Sequence, residues 1–166
     1  MKPGKSLRSL GFLLSMSVSI SINFFPDTMR IYFIWRYVIH CIVQYFHQWN
    51  VRRLRPGAYV PYRYDKAQIS DGLWFAEGIT SYFDLTLTLL ASKSDRQTLL
   101  DDLGKDISHV LLNPGCKIQS LADSSREAWL RLYKQTPANS ISQISYYRLG
   151  TIISFCLDVQ LRQAGS

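Results

Sequence analysis

"YFHQWNVRRLRPG", residues 45–57, decides how the rest of this chain is read. His47 sits behind two aromatics and ahead of Trp49-Asn50 and a basic run that closes at Pro56, which looks like the second half of a zinc-binding helix. Two histidines one helical turn apart can share a metal while a glutamate between them activates its water. His47 stands where the second histidine belongs, but Val43 and Gln44 occupy the places of the first histidine and the glutamate. In one class of such sites a glutamate on the next helix supplies the third ligand. Glu77, in "LWFAEGITSYFD" (residues 73–84), has that setting.

Working outward, Ile31, Ile34, Val38, Cys41, Ile42 and Tyr45 recur at three- and four-residue steps, which predicts an amphipathic helix over about 28–49. "RPGAYVPYRYD" (residues 55–65) breaks it and predicts an extended connection with alternating tyrosines. A second helix is expected over about 70–92, starting near Ser70 or Asp71. A third runs from Ser94 or Asp95 to Leu112, stopped by Asn113-Pro114-Gly115. Ser124 and Glu127 have the spacing of a capping box in front of "AWLRLY". "TPANSISQ" (residues 136–143) is read as a polar loop, and residues 144–163 as the last helix. Strand signals are short, so the expected class is mainly α.

At 166 residues the chain is long enough for one self-supporting domain. Its 47% hydrophobic and 19% charged content excludes a mainly disordered chain. The net charge of +7 permits attraction to nucleic acid or an anionic membrane. Arg52, Arg53, Arg55, Arg63 and Lys66, interleaved with Tyr59, Tyr62 and Tyr64, have the composition of a single-strand-binding surface. Cys41, Cys116 and Cys156, odd in number and far apart, read as buried thiols of a reducing compartment. Lys2, Lys5 and Arg8 precede the apolar residues 10–25 in the order of a signal peptide, but serines dilute that run and no small-x-small cleavage site follows. Residues 1–27 thus form an apolar segment to which no role is assigned, with membrane contact left open and a cytoplasmic location favoured. In the apolar stretch 30–46, Arg30, Arg36, His40 and Gln44 argue for a soluble helix.

"FHQWNVRRLRP", "LWFAEGITSYFD", "HVLLNPG", "IQSLADSSREAW" and "SYYRLG" resemble, in order, consecutive blocks of the glycyl aminopeptidase family. These are gluzincin zinc aminopeptidases, metallopeptidase family sixty-one, usually with a PDZ domain after the catalytic region. The similarity runs from residue 45 to about 161, within a partial catalytic domain assigned to residues 28–166. It implies the helical C-terminal lobe of a thermolysin-like catalytic domain, zinc as cofactor and a peptide as substrate. His47 and Glu77 become metal ligands, Thr80 and Asp84 lie at helical steps that reach ligand-orienting positions, and Tyr147 becomes the donor to the developing oxyanion. Leu149 stands where the family usually has lysine. His109 matches no ligand position and reads as a surface or helix-end histidine.

The departures matter more. The family pattern H-E-Y-F-H-x-W-N is met by Val43-Gln44-Tyr45-Phe46-His47-Gln48-Trp49-Asn50. Without a gap, Val43 replaces the first ligand and Gln44 the general base. With a one-residue deletion, the favoured version, Gln44 stands for both. Either way one ligand and the basic carboxylate are missing. His40 lies about two turns, or roughly 10 Å, before His47, too far for zinc–nitrogen bonds of about 2.0–2.1 Å. The family's β-rich lobe, with its G-G-x-E-H-type segment, has no counterpart here, and another chain is the candidate source of it. The expectation is a truncated, inactive relative that holds no stoichiometric zinc and binds no nucleic acid. A helical partner- or membrane-binding module is the alternative.

Overall fold

The computed structural model describes residue 37 and residues 40–134 and 136–165. The signal-like segment and most of the first expected helix lie outside the described residues. The chain divides into two units at Cys41/Ile42, and the fold described here is that of Ile42–Ser166. Among the described residues there is no strand, and no helix is long and apolar enough to cross a membrane.

Residues 40–46 form the end of α1, which stops three residues before the expected end and continues as turns through residue 49. α2 (Leu73–Leu90), α3 (Arg96–Leu112), α4 (Leu121–Arg126), α5 (Pro137–Ser142) and α6 (Tyr146–Ala164) follow, with a wide π-type turn at Ala128–Leu132. α2 and α6 form the central pair, and α3 and α4 pack against them. The pairing is unusually close because Gly78 and Gly150 face each other. A Cβ built on Gly78 would lie 2.5 Å from the Gly150 Cα, and one on Gly150 would lie 2.9 Å from the Gly78 Cα. Small hydroxyl residues recur in both helices. Thr80, Thr151 and Ser154 are buried, and each hydroxyl donates to a carbonyl one turn back in its own helix, at 2.7, 2.8 and 2.7 Å. Polar groups of this kind are tolerated in a core because every hydroxyl is satisfied.

Caps set the other boundaries. Asp95 accepts from the Thr98 N–H at 2.7 Å and starts α3 as expected. Asn113 stops α3 and also clamps the fold. Its Oδ1 accepts from Gly115 N at 2.8 Å while its Nδ2 donates to the Gln143 carbonyl at 2.9 Å.

Four expectations are corrected. The capping box lies at Ser120, whose hydroxyl accepts from Asp123 N, so Ser124 and Ser125 are buried inside α4 and Glu127 ends it. Ser124 donates to the Ile144 carbonyl at 2.7 Å and Ser125 accepts from Trp74 N at 3.0 Å, so both hydroxyls hold helices together. The "polar loop" contains α5, capped by Thr136 with Pro137 in its first turn. The connection 55–65 is interrupted by a 3₁₀ turn at Gly57–Tyr59. All three cysteines are exposed thiols, not buried ones.

Candidate metal centre

α1 and the turn after it run antiparallel to α2, a register fixed by contacts at successive levels. Phe46 stacks on Phe83 with centroids 4.6 Å apart, His47 meets Glu77 and Thr80, and Asn50 reaches Phe75, Ala76 and Thr80. Asn50 is 3% exposed, and its Nδ2 is shared among the Ala76 carbonyl (2.8 Å), Thr80 Oγ1 (3.1 Å) and the Phe75 carbonyl (3.2 Å). The chain then leaves through Val51, whose φ of 93° is a strained left-handed setting for a β-branched residue. Asn50→Ala strands those acceptors, and the expected cost is about 1–3 kcal/mol. In urea titrations it lowers the midpoint with an unchanged slope.

This turn aims His47. Its Nδ1 lies 3.3 Å from the Asn50 carbonyl oxygen and 3.5 Å from Thr80 Oγ1. A carbonyl only accepts, so Nδ1 carries a proton. The other ring nitrogen, Nε2, lies 3.6 Å from Glu77 Oε2, so the imidazole and the carboxylate face each other across a short gap. From α6, the Tyr147 phenol approaches the Glu77 carboxyl closely enough for each to influence the other's ionisation. Burial pushes the Glu77 carboxyl above its ordinary pKa, while His47 and Tyr147 pull it back in part. Burial, above all, raises the Tyr147 phenol, and the Glu77 charge adds to it. Tyr146 is wholly buried and stacks on Tyr147 at 4.5 Å.

The structure therefore brings together His47, Glu77, Thr80 and Tyr147. It places Val43 one turn before His47, since His47 N donates to the Val43 carbonyl at 3.0 Å. Val43 is half-buried, on the same side as Phe46 and His47, whereas Gln44 is exposed. His40 and His109 are exposed, the latter in the last turn of α3.

Asp84 lies two turns beyond Glu77 on α2, at the level the antiparallel register sets opposite Val43. Its Oδ1 is buried without a hydrogen-bond partner, and burial pushes its pKa up to about 6. A carboxyl whose folded-state pKa exceeds the ordinary 3.8 stabilises the fold while protonated. That contribution is lost as pH rises through about 6. Asp84→Asn is therefore expected to flatten the pH dependence of the thermal midpoint between about pH 4 and 6 and to raise the midpoint above it.

A catalytic zinc is held by three protein donors with one open position. Here two donors converge, and among the described residues no three His, Cys, Asp or Glu side chains are placed to hold a metal ion. The donor set does not fit catalytic zinc. Sequence reasoning had noted Asn50 only as part of a block, with no sign that its amide spans to α2. It reads Tyr59 as part of a single-strand-binding surface and gives no role to Leu73 and Trp129; all three line a groove beside Glu77.

The profile of the M61 glycyl aminopeptidase family matches residues 39–153. Among solved structures, an aminopeptidase N family protein from Idiomarina loihiensis is 37% identical and superposes with a TM-score of 0.74 over 78% of this chain. The match covers 22% of that protein, so this chain spans about a fifth of its length. No curated protein matches.

Proposed function

The chain belongs to the M61 glycyl aminopeptidase family, and we propose that it is a member in which zinc-assisted removal of N-terminal residues has been lost. One observation carries this reading: Val43 fills the position one turn before His47 where the family places its first ligand. His47 and Glu77 are the surviving ligands, still aimed at each other. Gln44, the replacement for the base, is a neutral amide that takes no proton, and loss of a general base alone typically costs about 10²–10⁴ in rate. Tyr147, the family's oxyanion donor, still lies beside Glu77. The orphaned Oδ1 of Asp84 supports the same history. In the antiparallel register it lies near the level of position 43, where apolar Val43 offers no hydrogen bond.

Incubation with excess zinc followed by desalting is expected to leave well under one equivalent by elemental analysis. Glycine 4-nitroanilide should be hydrolysed no faster than by buffer. One tightly held equivalent together with turnover would overturn the reading.

A further inference from the structure

Where the end of α3 meets the start of α6, the fold leaves a cavity of about 330 Å³, lined by none of His47, Glu77 and Tyr147. That volume lies at the lower end for small-molecule sites. Its lining holds Arg148 and His109 and no acid. Arg148 meets Asp106, outside the lining, at 3.4 Å in a loose ion pair, and its five N–H donors make no hydrogen bond among the described residues. Ser145, the N-cap of the 19-residue α6, brings the positive end of a long helix to the same wall. Val110, Leu132 and Ile144 supply the apolar part.

Gln143 points to a ligand independently. It is 8% exposed and lines the cavity, yet its carboxamide has no hydrogen-bond partner among the described residues. Of the unpartnered side-chain atoms among those residues, Asp84 Oδ1 alone is buried and shut off from solvent, so the Gln143 amide opens on the cavity. Its main chain, by contrast, is held firmly. The Asn113 amide donates to the Gln143 carbonyl at 2.9 Å, a Cβ on Gly115 would lie 2.8 Å from Gln143 N and C, and Ile144 N donates to Gln119 Oε1 at 3.0 Å. Buried amides are ordinarily satisfied. One held on a rigid frame beside a guanidinium is satisfied by what enters the cavity.

Independently of the metal reading, we infer that this cavity binds the carboxylate of a short-chain organic acid. The planar carboxylate takes paired N–H bonds from Arg148 and one from the Gln143 amide, while the hydrocarbon lies against Val110 and Leu132. One guanidinium matches the single charge of a carboxylate, whereas a phosphate group carries about −1.5 to −2.

The test is calorimetric titration of the full chain, at constant ionic strength, with butyrate, butyramide and inorganic phosphate. Saturable butyrate binding is expected, with neutral butyramide weaker by at least about tenfold, as for a lost charge-assisted hydrogen bond. Arg148→Met, with its fold checked by circular dichroism, keeps the stem, removes the fork and should weaken butyrate by at least about tenfold. Gln143→Leu removes an amide that has no partner to lose, so it should fold normally and still weaken binding. Asp106→Asn should tighten binding, because the guanidinium loses its competing carboxylate. Absent butyrate binding, butyramide binding equally well, or Arg148→Met binding like the wild type would overturn the site. Phosphate binding in preference to butyrate would overturn the carboxylate assignment.

Discussion

Gly78→Ala is expected to lower the thermal unfolding midpoint by about 6–12 °C. The added methyl would sit 2.5 Å from the Gly150 Cα and 2.7 Å from its carbonyl carbon, both main-chain atoms that no rotamer change can move aside. α2 and α6 must separate, and because they form the central pair the cost spreads through the fold. Overpacking costs about 1–3 kcal/mol where side chains can adjust, and a backbone clash lies at or above the upper end. At roughly 2–4 °C per kcal/mol for a chain of this size, about 3 kcal/mol gives the stated fall. Gly150→Ala should act similarly, meeting Gly78 Cα at 2.9 Å and the Trp74 carbonyl oxygen at 3.0 Å. Gly104→Ala is the control. It lies mid-helix on exposed α3 with nothing within 4 Å, so it should stabilise by about 0.5–1 kcal/mol through helix propensity alone. Equal midpoints for Gly78→Ala and the wild type would refute the close crossing.

The paired change Val43→His with Gln44→Glu is expected to raise zinc affinity at least about 100-fold, measured by competition with a chelator. Removing groups that merely orient ligands already costs about 10–100-fold, so restoring a ligand must exceed that. The side chain at 43 leaves the helix one turn before His47, on the half-buried side that faces α2. A histidine there is expected to add the third donor to His47 and Glu77, and Asp84, with its unpartnered Oδ1, is the acid proposed to orient its second nitrogen. This predicts a reversal of sign. In the wild type Asp84→Asn is stabilising above pH 6, whereas in the paired variant it should lower zinc affinity about 10–100-fold. The readout is the metal, because turnover requires more of the enzyme than a metal centre. An unchanged zinc affinity would show that position 43 does not face Glu77.

How much of this was legible in the sequence depended on the range of the interaction. α2 and α3 follow from periodicity and from the local chemistry of Asp95 and Asn113-Pro114-Gly115, signals complete within a few residues. The approach of His47 and Glu77 came from the resemblance, which carries tertiary information that periodicity lacks. The misplaced capping box turned on distant partners. Ser120…Asp123 and Ser124…Glu127 share one capping pattern, and the choice between them was made by the Ile144 carbonyl and the Trp74 N–H, 20 and 51 residues away. Thr136-Pro137 is a sound helix start that polar composition concealed. Cys116 and Cys156, apolar enough for a core, lie on faces that nothing among the described residues covers.

The amide of Asn50 has a consequence reaching beyond the site. It joins α1 to α2 through hydrogen bonds alone, in the place where a metalloprotein would use an ion whose binding free energy is also folding free energy. On the proposed reading the lifetime of this molecule is uncoupled from metal supply, and chelation is expected to leave the fold intact.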